Sequence, residues 1–196
     1  MITVLLAAGK ASRMGGPKLI LPYKGKSIIR YSLEAALESS RQVLIIIGYH
    51  EQQILPLLAP YRKLGSDRLR IIRNPSPELG QFSSTLSGVA EIQTDESFTI
   101  AMGDSPLITS EHYRQLAPYL EGYEAVRPFC GDIPGHPVLC ANTLREEILK
   151  LPPSYSMREF LASRNVRRLD TDDPAWITDI DTPESYERLL AISSWD

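Results

Sequence analysis

The chain has 196 residues, of which 43% are hydrophobic and 23% charged, a composition and length that suit one globular domain spanning residues 1–196. The formal net charge of -3 argues against nucleic acid or an anionic membrane as a partner, because both favour basic surfaces. The two cysteines, Cys130 and Cys140, have neither a disulfide framework nor metal-ligand spacing. No apolar run reaches transmembrane length and the N-terminus lacks the features of a signal peptide, so we expect a cytoplasmic protein.

The chain begins with a short apolar segment followed by a glycine-rich, basic loop. Ile2–Leu6 is apolar without polar alternation, as expected for a central parallel strand that is covered on both faces. The small residues at 7–9 let the backbone approach a ligand closely. Arg13 and Lys18 add two cations to the same loop. Backbone amides combined with these cations predict a cradle for a polyphosphate.

Strands and helices then alternate along the rest of the sequence. The hydrophobic patterns predict helices from Ser27, at His50–Leu58, at Ser110–Leu120, at Asn142–Leu149, at Ser156–Ser163 and from Pro183. They predict strands at 43–48, 69–73, 97–102, 124–129, 166–170 and 176–180. This alternation indicates a three-layer α/β/α domain, Rossmann-like, with a mostly parallel sheet whose ligand loops gather at the strand C-termini.

A second polar loop precedes the helix that contains Ser83 and Ser84. The hydroxyl groups of these residues can cap the free amides at the helix N-terminus. The same groups can instead hold a nucleobase or a ribose, and both roles are compatible with one helix terminus.

Acidic residues follow two predicted strands. Asp104 stands just past the end of the 97–102 strand, where α/β sheets bind ligands, and we expect it to be a metal ligand, although a turn residue before Pro106 is the simpler alternative. Asp179 and Asp181 precede the last helix. Because they alternate along an extended chain, both cannot face one cleft unless the backbone turns, and we favour Asp181 as the second metal ligand.

Four sequence blocks resemble a known family over the whole chain. The segment from Leu6 to Lys18 fits neither the P-loop nor the dinucleotide fingerprint. It resembles instead the signature loop of the MobA-like nucleotidyltransferases, in particular the branch of the CTP:molybdenum cofactor cytidylyltransferases. The other blocks are Asn74-Pro75 with Gly80 and Ser84-Thr85-Leu86, Met102-Gly103-Asp104 with Pro106, and Asp179-Ile180-Asp181-Thr182-Pro183. A further match, Gly135-His136-Pro137-Val138-Leu139, lies where these relatives approach their acceptor.

The resemblance implies a nucleotide-diphospho-sugar transferase type of fold and a Mg2+-dependent transfer of a nucleotidyl group with release of pyrophosphate. It implies Lys18, Arg13 and Asp104 as catalytic residues, and Asp104, Asp181 and Asp179 as candidate metal ligands. His136 is the candidate acceptor-binding residue, although a structural role in its loop is an equal alternative. The implied nucleotide-binding residues are Leu6, Ala7, Ala8, Gly9, Ser12, Arg13, Lys18, Asn74, Gly80, Ser83 and Ser84.

The resemblance also indicates the substrates. Relatives that use GTP usually carry a second glycine where this chain has Ala8, so CTP is the expected nucleotide, with molybdopterin as a candidate phosphorylated acceptor. Three alternatives stay open at the level of sequence: a cytidylyltransferase for methylerythritol phosphate, one for a sugar phosphate, and a non-catalytic maturation factor for a molybdenum enzyme such as a hydroxylase.

Overall fold

An eight-stranded mixed sheet forms the centre of the protein. The structure, a computed structural model, describes residues 1–192. Its strands are β1 Ile2–Ala7, β2 Pro22–Tyr23, β3 Lys26–Ser27, β4 Gln42–Ile47, β5 Leu69–Arg73, β6 Phe98–Met102, β7 Ala125–Cys130, β8 Ile133–Pro134, β9 Val138–Cys140 and β10 Val166–Thr171. Its helices are α1 Ile28–Ser39, α2 Glu51–Leu58, α3 Gln81–Ala90, α4 Ser110–Leu116, α5 Leu144–Leu149, α6 Met157–Ala162 and α7 Pro183–Ile192.

The strand order is β10-β7-β9-β6-β1-β4-β5, with β8 paired to β7, while β2 and β3 form a separate hairpin. Strands β6, β1, β4 and β5 are parallel to one another. Strand β9 is antiparallel to both of its neighbours, β6 and β7, which makes the sheet mixed. The parallel strands β6, β1 and β4 therefore end at the same edge, as the sequence predicts for a ligand-binding α/β sheet.

Helices cover both faces of the sheet and explain why its central strands are mostly apolar. All six residues of β1 are buried, and their side chains alternate between two cores. Leu5 and Ala7 join the core beneath α1, α2, α4 and α7, whereas Val4 and Leu6 join the core beneath α3, α5 and α6. This arrangement confirms the expected three-layer α/β/α architecture.

Two expectations about the secondary structure are corrected. Residues 176–180 are not a strand, because Pro174–Ile177 forms a short 3-10 helix whose first turn is capped by Asp173, the acceptor of the Ala175 N–H at 2.9 Å. The helix that begins at Ser110 ends at Leu116 and continues only as a 3-10 turn over Ala117–Tyr119, which contains Pro118. Among residues 1–192, no helix has the length and apolar character needed to cross a membrane.

Candidate active site

A cleft of about 520 Å³ opens at the edge of the sheet where β1, β4 and β6 end. This volume suits a small-molecule substrate. Of the residues implicated by sequence, the cleft is lined by Leu6, Ala7, Ala8, Gly9, Ser12, Arg13, Lys18, Gly80, Ser84, Asp104, His136, Asp179 and Asp181. The fold therefore brings together residues from both ends of the chain and from its middle.

The ligand loop, residues 8–18, is fixed against the end of β4. The Tyr49 N–H donates to the carbonyl oxygen of Ala8 at 3.4 Å, and His50 Nε2 hydrogen-bonds the carbonyl oxygen of Lys10 at 2.9 Å. A Cβ atom on Gly48 would stand only 2.8 Å from Ala8 Cβ and 2.9 Å from Ala8 O. Glycine at position 48 is therefore required for this close approach, which holds the ligand loop at the mouth of the cleft.

Lys18 lies between two carboxylates in the floor of the cleft. Its amine donates hydrogen bonds to Asp104 Oδ2 and, at 2.5 Å, to Asp181 Oδ1. The Lys18 side chain is only 12% exposed and that of Asp104 4% exposed, so this ion pair is shielded from water. Arg13 donates to the other oxygen of Asp181, Oδ2, at 2.5 Å. Two cations of the ligand loop are thus tied to acidic residues from β6 and from the segment before α7.

These contacts determine the charge states in the cleft. Burial alone would lower the pKa of Lys18, but Asp104 and Asp181 outweigh it and raise the pKa above its ordinary value. Burial likewise opposes ionisation of Asp181, but its bonds to Lys18 and Arg13 hold its pKa below the ordinary value. Lys18 and Asp181 are therefore both charged at neutral pH.

The pKa of Asp179 is shifted in the opposite direction from that of Asp181. Desolvation in the cleft, together with the negative charges of Asp104 and Asp181, raises the pKa of Asp179 to about 6. Such a shift shows that the three carboxylates interact electrostatically. An added cation would relieve this repulsion.

The position of Asp104 is set by the close packing of the chain around it. The Gly103 N–H donates to Leu6 O at 2.9 Å, and the Ile180 N–H donates to Asp104 O at 3.2 Å. Asp104 Oδ1 is buried and has no hydrogen-bond partner in the described part of the chain. A buried carboxylate oxygen without a partner is costly, and its natural partner is a hard divalent cation such as Mg2+ or Mn2+.

The acidic residues of the cleft could bind such a cation, although their side chains are not arranged as a complete set of ligands. Within residues 1–192, no group of three or more His, Cys, Asp or Glu side chains is arranged so that it could hold a metal ion as it stands. Asp104 offers its unpaired oxygen, and Asp179 and Asp181 line the same cleft. The oxygens of Asp181 are instead bonded to Lys18 and Arg13.

Asp179 and Asp181 both line the cleft, which the sequence allows only where the backbone is not a regular extended strand. The chain between them belongs to no strand, and before α7 Ser185 Oγ accepts from the N–H groups of both Asp181 and Thr182 at 3.0 Å. The choice of Asp181 over Asp179 as the second metal ligand stays a prediction.

Asn74 and Ser83 are placed beneath the cleft and do not line it. Asn74 is 3% exposed, and its amide donates to Ser83 Oγ at 2.8 Å and to Ser84 Oγ at 2.9 Å. Its oxygen accepts from the Ser76 N–H at 2.9 Å, while Ser83 Oγ donates to Gly80 O at 2.7 Å. These bonds hold together the loop that presents Gly80 and Ser84 to the cleft, so the sequence block has an evident structural role.

His136 also lines the cleft. Its backbone N–H donates to Trp176 O at 2.9 Å, which attaches its loop to the Pro174–Ile177 turn. Burial and the nearby charge of Arg127 lower the pKa of His136 from 6.5 to about 4, so its imidazole is neutral at pH 7. It can donate or accept a hydrogen bond there but supplies no charge.

Several cleft residues were not implicated as ligands by sequence: Lys10, Tyr49, Glu78, Gln81 and Met102. Tyr49 is 42% exposed at the end of β4, with the Lys10 amine 5.9 Å from its ring centroid. The signal that could have located Tyr49 is its position after a buried strand, since the ends of parallel strands share one edge.

Two cations of the ligand loop meet carboxylates at the edge of the sheet where the parallel strands end, the arrangement expected of a nucleotide-binding transferase. Residues 3–170 match the MobA-like NTP transferase domain, and the chain belongs to that family. It is a nucleotidyltransferase. Among curated relatives, it is 28% identical over 183 residues to the molybdenum cofactor cytidylyltransferase of Escherichia coli K12, covering 93% of this chain and 92% of that protein. It is 31% identical to the purine catabolism protein PucB of Bacillus subtilis 168, with 96% and 95% covered.

Solved structures share the fold. A crystal structure of Rv0371c from Mycobacterium tuberculosis H37Rv superimposes with a TM-score of 0.82 at 24% identity, covering 97% of this chain and 96% of that one. A second crystal structure of Rv0371c, a complex with manganese, gives a TM-score of 0.76 at 22% identity, with 97% of both chains covered.

Proposed function

We propose that this protein transfers CMP from CTP to a phosphorylated acceptor with release of pyrophosphate, and that molybdopterin is the acceptor. The observation that carries the nucleotidyl-transfer chemistry is the convergence of Lys18, Asp104 and Asp181 in one cleft. The choice of substrates is supported by the name of the Escherichia coli relative and by Ala8 in the ligand loop. We further propose that residues 1–196 form one catalytic domain.

The protein's task in this reaction is alignment and charge neutralisation, because the acceptor brings its own phosphate oxygen as the nucleophile. In our proposal the backbone of residues 6–9 and Ser12 binds the nucleotide, and Arg13 and Lys18 contact the phosphates that leave as pyrophosphate. Arg13 is well placed to reach an incoming anion, since its side chain is 70% exposed. Lys18 contributes a mobile charge on a flexible stem.

Asp104 would hold Mg2+ through its unpaired oxygen, joined by Asp181 or Asp179. Carboxylates of this kind, together with substrate phosphates, are the ligands that Mg2+ usually takes in nucleotide-processing sites. When held by these carboxylates, a divalent cation would supply positive charge against the phosphates. The manganese complex of Rv0371c supports a divalent cation in this family, without distinguishing Mg2+ from Mn2+.

Base and acceptor contacts complete the proposal. Gly80 and Ser84 line the cleft beside the ligand loop, so we assign them to the nucleotide. Asn74 and Ser83 would act by positioning this loop from below, through the hydrogen bonds to Ser84 and Gly80. His136, neutral at pH 7 and part of the cleft lining, would give the acceptor a hydrogen bond.

A screen of pyrophosphate release tests the proposal. The full chain is incubated with Mg2+, each of the four nucleoside triphosphates and a panel of phosphorylated acceptors that includes molybdopterin. We expect release that requires both CTP and molybdopterin. Release with methylerythritol phosphate or a sugar phosphate instead would assign a different cytidylyltransferase. Nucleotide binding without release for any acceptor would indicate a maturation factor.

A further inference from the structure

The side chains of Lys18 and Arg13 are bonded to the carboxylate oxygens that would bind a metal ion. Lys18 Nζ is bonded to Asp104 Oδ2 and Asp181 Oδ1, and Arg13 is bonded to Asp181 Oδ2. Of the four oxygens on these two carboxylates, Asp104 Oδ1 has no hydrogen-bond partner within residues 1–192. Three of these four carboxylate oxygens are thus bonded to Lys18 or Arg13.

We propose that Lys18 closes the metal site of the free protein and that the phosphates of the nucleotide open it, so that divalent cation and nucleotide bind with positive coupling. This inference rests on the proposed function, since it assigns the nucleotide phosphates as the alternative partners of Lys18. It adds a second role to Lys18: the residue competes with the metal before it assists the phosphates.

The competition follows from burial and charge. The Lys18 side chain is 12% exposed and contacts Asp104, which is 4% exposed, so solvent screens this part of the cleft weakly. A divalent cation bound to Asp104 while the Lys18 amine stayed in place would be repelled by that amine at close range. Lys18 must therefore move before Asp104 and Asp181 can share a metal ion.

The phosphates of a nucleoside triphosphate offer the Lys18 amine alternative partners. Its oxygens are strong acceptors for ammonium and guanidinium groups, and the flexible stem of Lys18 lets the amine change partners. Because the Arg13 side chain is 70% exposed, solvent screens its ion pair with Asp181, and breaking this pair costs little free energy. Once both cations bind phosphate, the carboxylates are left uncompensated and attract the metal. By linkage, each ligand then raises the affinity for the other by the same factor.

Binding of Mn2+ alone, followed by electron paramagnetic resonance of the free ion, tests this inference without nucleotide or turnover. The full chain is compared with Lys18→Met, which keeps the length of the side chain and removes its charge. We expect Lys18→Met to bind Mn2+ about tenfold more tightly or better, within the usual range of coupling between sites. Lys10→Met is the matched control, because Lys10 lines the same cleft but contacts the Tyr49 ring, and its Mn2+ affinity should equal that of the wild type.

The double variant Lys18→Met/Asp104→Asn tests whether the ion binds at Asp104. The gain in Mn2+ affinity expected for Lys18→Met should be absent from it. Lys18→Gln, checked like the others by thermal melting, serves if Lys18→Met does not fold. An Mn2+ affinity of Lys18→Met or Lys18→Gln equal to or below that of the wild type would overturn the inference, as would a gain that survives Asp104→Asn. Because no nucleotide is present, this failure is distinct from a failure of the proposed function, which would appear as absent pyrophosphate release.

Discussion

The amine of Lys18 is bonded to the carboxylate of Asp104 across 86 positions of sequence. Lys18 belongs to the ligand loop and Asp104 to the end of a central strand, so this contact joins the most basic segment of the cleft to its buried floor. Removing one partner of a buried ion pair leaves the other charge uncompensated, which is more damaging than losing a surface pair.

Replacing Asp104 with Asn keeps the shape of the side chain and removes the charge that would hold the metal. We expect the rate of pyrophosphate release to fall by about a hundredfold or more, since the cation that Asp104 would hold supplies the charge that stabilises the phosphates in the transition state. Added Mg2+ should restore little. The matched control is Asp132→Asn, because Asp132 is fully exposed and remote from the cleft, and its rate should be unchanged. An unaltered Mg2+ dependence in Asp104→Asn would make Asp104 only a turn residue.

Gly48→Ala should destabilise the protein and displace the ligand loop. The new methyl group would meet Ala8 Cβ at 2.8 Å and Ala8 O at 2.9 Å, and an overpacked contact of this kind costs about 1–3 kcal/mol. Chemical denaturation measures the loss in unfolding free energy, and titration with CTP should show weaker binding. Gly16→Ala, in the ligand loop itself, is the control, because no neighbouring atom lies within 4 Å of its added Cβ. Equal stability of the two variants would disprove the close contact.

The preference for CTP over GTP should depend on Ala8. Its methyl group is buried against Gly48, beside Pro77, and both Ala8 and Pro77 line the cleft. The prediction rests on size: an Ala side chain at position 8 takes room beside the backbone that a purine would need and the smaller cytosine would not. We expect calorimetry to show tighter CTP than GTP binding for the wild type and a shift toward GTP for Ala8→Gly. Tighter GTP binding by the wild type would overturn the assignment of the base.

The stability of the protein should depend on pH through His136. Burial and Arg127 lower the pKa of His136 from 6.5 to about 4, so between these values the unfolded chain binds more protons than the folded one. The unfolding free energy should therefore fall as the pH decreases from 6.5 toward 4. In urea denaturation, the difference in unfolding free energy between wild type and His136→Asn should stay constant above pH 7. Below pH 6.5 the wild type should lose stability relative to the variant. Parallel curves across this range would show that the imidazole titrates normally.

The sequence predicts the fold well because the central strands are rich in β-branched residues and leucine, without polar alternation, and the caps are explicit. Ser156, for example, accepts from the Glu159 N–H at 3.1 Å at the start of α6, as its capping pattern predicts. Residues 176–180 were assigned wrongly as a strand because a short apolar run with Trp and Ile has no period that distinguishes a strand from one helical turn. The cap provided by Asp173 decides in favour of the turn.

The site is predicted less completely than the fold. Sequence blocks identify which residues gather at the cleft, yet they cannot show which polar groups are satisfied internally. Asn74 and Ser83 use their hydrogen bonds on each other and on their loop, a pairing that only the folded chain reveals. Nor does any local pattern connect Lys18 with Asp181, which is 163 positions away. Long-range ion pairs of this kind follow from topology.

The rate of pyrophosphate release by Lys18→Ala, measured with the nucleotide and acceptor that the wild type uses, tests the central claim most directly. The account predicts a decrease of about a hundredfold or more, because the Lys18 amine would no longer stabilise charge on the departing phosphates. Lys26→Ala is the control, since Lys26 is bonded to Glu34 outside the cleft, and it should retain the wild-type rate. A folded Lys18→Ala protein that releases pyrophosphate at nearly the wild-type rate would contradict the account.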